Sequence, residues 1–159
     1  MPLASPGEGA MNESQSDAYI VIAEDNPADV YLVKEALRGH GVECNVSVLS
    51  DGEQTLKFIE NLDTDSNAPC PDLWLVDLHL PKHDGAEILT RLRASERCWK
   101  TQVIVMSSSD STEDKAQAEG HGALHYFRKP GDLDEFMKLG SLVKEYVRQR
   151  AMRWLDAHA

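Results

Sequence analysis

Cysteine is scarce: Cys44, Cys70 and Cys98 are the three in 159 residues, odd in number and scattered. No two form a close sequence pair, which argues against a disulfide scaffold or a zinc ribbon and fits a reducing compartment. Long apolar runs are missing too, since none approaches the roughly 20 residues of a membrane-spanning helix. The N-terminus carries no basic segment followed by an apolar core, so no secretory signal is read there. These absences predict a cytoplasmic protein with no membrane partner. Positive charge is in deficit, with 16 Lys and Arg against 27 Asp and Glu, for a net charge of −11. Sequence-independent nucleic-acid binding needs clustered cations to meet phosphates, so nucleic acid is set aside as a partner. The acidic excess suits solubility, or a site built from carboxylates around a cation.

What is present fits one domain. A hydrophobic content of 42% and a charged content of 27% are ordinary for a globular chain of this length. Residues 1–17, rich in Pro, Gly, Ser and acidic side chains, lack the apolar content to pack and are expected to be disordered ahead of a domain over 18–159. Five short apolar runs follow: Tyr19–Ala23, Cys44–Leu49, Leu73–Val76, Val103–Met106 and Leu124–Phe127. The first, third and fourth are nearly continuous, as in strands covered on both faces. Helical spacing fills the gaps. Val30, Val33 and Leu37 mark a first helix ending near Gly39 and Gly41, and Thr55, Ile59 and Leu62 a second behind an Asp51 cap. Ile88, Leu89 and Leu92 mark a third, residues 112–119 a weaker fourth, and Phe136, Leu139, Val143, Tyr146 and Val147 a last helix from about Asp132 toward Leu155. Strand and helix alternating five times imply a parallel sheet with helices on both faces.

Ligands of such sheets bind outside the carboxyl ends of the strands. There the sequence places Glu24 and Asp25 after the first strand, Asp77 after the third, Ser107 and Ser108 after the fourth, and Arg128-Lys129-Pro130 after the fifth. Three carboxylates crowded together repel unless a cation neutralises them. Mg²⁺ suits a few carboxylates completed by water and phosphate. Lys129 adds a charge that can hold an anion beside the metal, so the missing ligand is expected to be a phosphoryl group.

These residues carry a specific resemblance. The pair Glu24-Asp25 in AEDNPAD, Asp77 in LVDLHLPKHDG, Ser107 in VIVMSSS and the Lys-Pro of YFRKP resemble a response-regulator receiver domain, over about Tyr19 to Tyr146. Ser107 follows Asp77 by 30 residues and Lys129 follows Ser107 by 22, both usual for that family. The 52 residues from Asp25 to Asp77 are a longer interval than usual, attributed to the loop from Asn61 to Pro71. That loop, with the AEDNPAD opening and the LPKHDG turn, is similar to stand-alone regulators that partner bacterial phytochromes.

The resemblance implies a flavodoxin-like fold, strand order 2-1-3-4-5, and a phosphoacceptor in a two-component phosphorelay. Asp77 would take the phosphoryl group from a sensor histidine kinase, possessing self-phosphorylation and autodephosphorylation but no independent enzymatic substrate. Glu24, Asp25, Asp77 and the His79 backbone carbonyl would hold Mg²⁺. Lys129 would pair with the phosphoryl oxygens, followed by a cis bond to Pro130. Ser107 would donate to the phosphoryl group, and Tyr126 would turn inward as it moves. Plainer readings stand beside these: Asp77 capping a turn, Glu24 or Asp25 capping the first helix, Lys129 as a loop residue, and Tyr126 as a half-buried strand residue.

Two histidine pairs four residues apart, His79 with His83 and His121 with His125, are interrupted by Pro81 and Gly122 and do not predict a transition-metal site. Lys144, Arg148, Arg150 and Arg153 read as cations complementing the dipole of the last helix in its final turns. Leu139, Leu142, Tyr146 and Trp154 read as an apolar stripe that a second copy or another protein would cover, giving a homodimer through the C-terminal helix region. With about 30 residues after the fifth strand, output is expected to pass through contact with a downstream protein, on the face of the fourth helix, fifth strand and fifth helix. Two other functions remain open, a constitutive interaction scaffold and an Asp-nucleophile phosphohydrolase. The second usually wants a carboxylate two residues after the nucleophile, where this chain has His79.

Overall fold

Five parallel strands form one sheet in a computed structural model that describes residues 17–157. The strands are β1 (Ala18–Ala23), β2 (Cys44–Leu49), β3 (Leu73–Asp77), β4 (Gln102–Ser107) and β5 (His125–Arg128). The helices between and after them are α1 (Pro27–Gly39), α2 (Gly52–Thr64), α3 (Gly85–Arg93), α4 (Thr112–Gly120) and α5 (Leu133–Ala157). The sheet order is β2-β1-β3-β4-β5, the flavodoxin-like arrangement. Most of the N-terminal segment expected to be disordered lies outside the described residues.

The pleat divides the core in two. Ile20, Ile22, Leu73, Leu75, Ile104 and Met106 point to one face, where Val33 and Leu37 of α1 and Phe136, Leu139 and Val143 of α5 cover them. Val21, Trp74, Val76, Val103 and Val105 point to the other, under Ile59 and Leu62 of α2 and Ile88, Leu89 and Leu92 of α3. Being covered on both faces is why β1, β3 and β4 read as continuous apolar runs. The helix starts follow local chemistry: Asn26, Asp51, Asp84 and Ser111 each accept a backbone N–H of the first turn they precede. Helix α4 is the least anchored, burying Ala118 alone.

Three expectations change. Cys70 and Cys98 form a disulfide, with Cα atoms 5.6 Å apart. They lie 28 residues apart in sequence, in the loops leading into the adjacent strands β3 and β4, a proximity only the topology creates. The cysteine pattern therefore no longer argues for a reducing compartment. Second, α5 runs on to Ala157, so its last turn holds no basic residue. Its cations lie earlier, where Arg148 pairs with Glu145 at 2.8 Å and Arg150 with Asp72 at 3.0 Å. Third, Leu139 and Tyr146 of the expected docking stripe are buried in their own domain. Tyr146 also donates its hydroxyl to the Asp72 carbonyl at 2.9 Å, leaving Met152 and Leu155 as the exposed apolar side chains near the end of α5. No helix among the described residues is long and apolar enough to cross a membrane.

Candidate functional site

The acidic residues meet at the carboxyl edge of the sheet. β1 runs straight into Glu24 and Asp25, and Asp77 is the last residue of β3. One oxygen from each lies within 4.8 Å of the others. Glu24 and Asp77 are buried and Asp25 is exposed. The helix cap falls to neither member of the acidic pair, because the Asn26 side chain accepts the Ala28 N–H at 2.9 Å, with Pro27 opening the helix. Both carboxylates are thus available to the site.

Lys129 follows β5, and its amide donates to the Ser107 carbonyl at 2.7 Å. Its ammonium donates to Glu24 Oε1 at 2.5 Å, Asp29 Oδ2 at 2.9 Å and Asp77 Oδ2 at 3.0 Å. Burial opposes its charge, but the hydrogen bonds to Glu24 and Asp29 and the nearby Asp77 charge hold it protonated, above the usual ammonium range. Glu24 behaves differently. Burial raises it most, the Lys129 hydrogen bond lowers it, and the Asp77 charge raises it again, so that it moves from 4.5 to about 7. Asp29 was not foreseen as a site residue. Its only sequence signal is its place in AEDNPAD, in the first turn of α1, where an acidic residue already suits the helix dipole.

Asp77 does cap a turn, accepting the His79 N–H on Oδ1 at 2.9 Å, while Oδ2 faces Lys129. The two readings of this residue are compatible. Space for that turn comes from Gly85, where a side-chain carbon would collide with Leu78 and the Asp77 carbonyl. The His79 imidazole meets α4, with Nε2 at 3.0 Å from Asp114 Oδ2. Ser107 is fully buried, and its hydroxyl accepts the Ser109 N–H at 3.0 Å. Tyr126 is half-buried, as its plainer reading held, and its hydroxyl donates to the Ser109 carbonyl at 2.8 Å. No cis peptide occurs among the described residues, so Lys129–Pro130 is trans, contrary to expectation. The two isomers of an X–Pro bond differ little in energy, and residue type alone does not choose between them. Of the other histidines, His83 contacts Glu87 at 2.9 Å and His121 contacts Thr90 at 3.1 Å.

The donor set fits a hard divalent cation. Three carboxylates, Glu24, Asp29 and Asp77, contact the one ammonium and Asp25 lies beside Glu24 and Asp77, so the fully ionised group has three more negative charges than positive ones. Burial is the main cause of the upward shift of Glu24, and the neighbouring Asp77 charge adds to it.

Residues 20–139 match the response regulator receiver domain family, to which this chain belongs. It is 30% identical over 138 residues to the probable methanogenesis regulatory protein FilR2 of Methanothrix harundinacea, covering 87% of this chain and 88% of that protein. Against the response regulator Rcp1 of Synechocystis it is 29% identical, over 80% of this chain and 87% of that one. Among solved structures, the Mn(2+)-bound form of Rcp1 superposes with a TM-score of 0.71 at 28% identity, covering 80% of this chain and 91% of the other. The phosphorylated cyanobacterial phytochrome response regulator RcpA superposes with a TM-score of 0.73 at 29% identity, covering 82% and 94%. Receiver domains of this family serve two-component systems and are phosphorylated by histidine kinases.

Proposed function

We propose that this chain is a Mg²⁺-dependent phosphoacceptor switch in which Asp77 receives a phosphoryl group from a sensor histidine kinase. The observation that carries the reading is the convergence of Asp77 Oδ2, Glu24 and Asp29 on the Lys129 ammonium, beside the Glu24–Asp25–Asp77 cluster. Asp77 Oδ2 attacks phosphorus, the P–N bond to the donor imidazole breaks, and the imidazole leaves with the bonding electron pair. The acceptor needs no general base, because an ionised carboxylate has no proton to lose. Lys129 is positioned to move from the carboxylates to the phosphoryl oxygens, a short transfer for a flexible ammonium. Ser107 would donate its hydroxyl proton to the same group, drawing the loop after β4 inward, and Tyr126 would follow through its bond to Ser109. Bound Mg²⁺, held by Glu24, Asp25, Asp77 and the His79 backbone carbonyl, would supply charge neutralisation. Hydrolysis returns the carboxylate when water attacks phosphorus and the Asp77 O–P bond breaks.

The likeness to a phytochrome response regulator supports a phytochrome-type kinase as donor. Output would pass to a downstream protein on the α4, β5 and α5 face. The test is intact mass after incubation with acetyl phosphate, with and without Mg²⁺, for the wild type and Asp77→Asn. A single phosphoryl adduct requiring both Mg²⁺ and Asp77 is expected. A folded wild type that neither takes the adduct nor binds Mg²⁺ would leave the scaffold reading in its place.

A further inference from the structure

A closed circuit of hydrogen bonds begins and ends at Asp77. From Oδ1 it passes to the His79 N–H at 2.9 Å and from the His79 imidazole to Asp114 at 3.0 Å. The Asp114 amide donates to Ser111 Oγ, the Ser111 amide to Ser109 Oγ, and the Ser109 amide to Ser107 Oγ, each at 3.0 Å. The Lys129 amide then donates to the Ser107 carbonyl, and its ammonium returns to Asp77 Oδ2. Three serines in alternate positions thus make successive side-chain turns that carry the chain from the end of β4 to the start of α4. The His79–Asp114 contact, between residues 35 apart, closes the circuit from the other side.

Helix α4 gives that contact its weight. It buries Ala118 alone, so apolar packing does little to fix its position, and such elements shift at low cost. We propose that His79 and Asp114 are positioning residues that hold α4 and the serine loop in the unphosphorylated arrangement and thereby oppose phosphoryl acceptance. The inference rests on the acceptor reading of Asp77. When Ser107 turns toward a phosphoryl group, Ser109 and Ser111 are displaced in turn, and Asp114 is drawn from His79. A contact present in only one of two arrangements biases the equilibrium toward that arrangement.

The test compares wild type, Asp114→Ala, Asp114→Asn, His79→Ala and the double alanine variant. Adduct formation from acetyl phosphate at fixed Mg²⁺ should quicken about two- to five-fold in either alanine variant, the range for a largely exposed pair. The double variant should be no faster than the single ones, because one contact is lost once. Asp114→Asn removes the charge but keeps an acceptor oxygen, and should return the wild-type rate. The Ser109 and Ser111 amide resonances supply a second readout. In Mg²⁺-loaded, unphosphorylated Asp114→Ala they should move toward their positions in phosphorylated wild type. Unchanged or slower rates, additive effects, or stationary resonances in variants of a phosphorylatable wild type overturn the latch alone. A wild type that takes no phosphoryl group overturns the acceptor reading and the latch together.

Discussion

Lys129 sits where three carboxylates meet, and two of them, Glu24 and Asp77, belong to the cluster proposed to hold the cation, so ammonium and cation would compete for them. Replacing it with methionine should tighten Mg²⁺ binding, read by calorimetric titration, because that competition disappears. The same change should slow adduct formation from acetyl phosphate by about ten-fold or more, since the charge-assisted bonds to the phosphoryl oxygens are gone. Unaltered rates would remove Lys129 from the chemistry. Glu24 makes a different prediction. Its folded pKa of about 7 stands above the ordinary 4.5, so between these values the folded state binds more protons than the unfolded one. Its stabilising contribution is therefore complete below 4.5 and is lost as pH rises through 7. Thermal unfolding of the metal-free protein should show this decline, Glu24→Gln should remove it, and saturating Mg²⁺ should offset it. Asp25, Asp77, Ser107 and Lys129 were legible in the sequence because each sits in a short motif at a strand end. Asp29 was not, because its inward direction depends on where α1 begins its turn.

The contact between α1 and α5 closes one half of the core, and Gly140 permits it. A side-chain carbon there would strike the Ala36 carbonyl and the His40 ring. Gly140→Ala should force the helices apart and cost about 1–3 kcal/mol in denaturant unfolding, with the acceptor chemistry retained in the folded fraction. The loops into β3 and β4 are held more than once. Besides the disulfide, the Arg97 guanidinium donates to the carbonyls of Leu62 in the last turn of α2 and of Asp65 and Ala68 in the loop beyond it. Asp63 also accepts from Arg91 at 3.0 Å and from Ser95 at 2.6 Å. The double change Cys70→Ser with Cys98→Ser should lower stability by about 2–4 kcal/mol, while the polar bonds keep the native state folded. A chain that unfolds outright at 25 °C would show those bonds to be insufficient. Strands and helices were readable because apolar periodicity is a local property. The disulfide was not, since two cysteines on separate loops become neighbours only through strand order, whereas α5 ends at Ala157, close to the expected Leu155.

Chemistry and clamp occupy opposite edges of the sheet. The carboxylates, Ser107 and Lys129 gather where the strands end, while Cys70, Cys98 and Arg97 gather where β3 and β4 begin. On the proposed reading Mg²⁺ binds the folded arrangement alone, so the unfolding midpoint of the whole domain should rise with its concentration. The gain should vanish in Asp77→Asn combined with Asp25→Asn, as followed by calorimetry. The pairing of α1 with α5 also has a consequence in time. Residues 39 and 140 are separated by about 100 residues of chain, and synthesis at roughly 5–20 residues per second leaves α1 without its partner for roughly 5–20 s. During that interval the apolar face of Val33 and Leu37 stays uncovered on the ribosome-bound chain. Nascent chains halted before Leu133 should therefore be cut by protease within α1, and chains released past Ala157 should not.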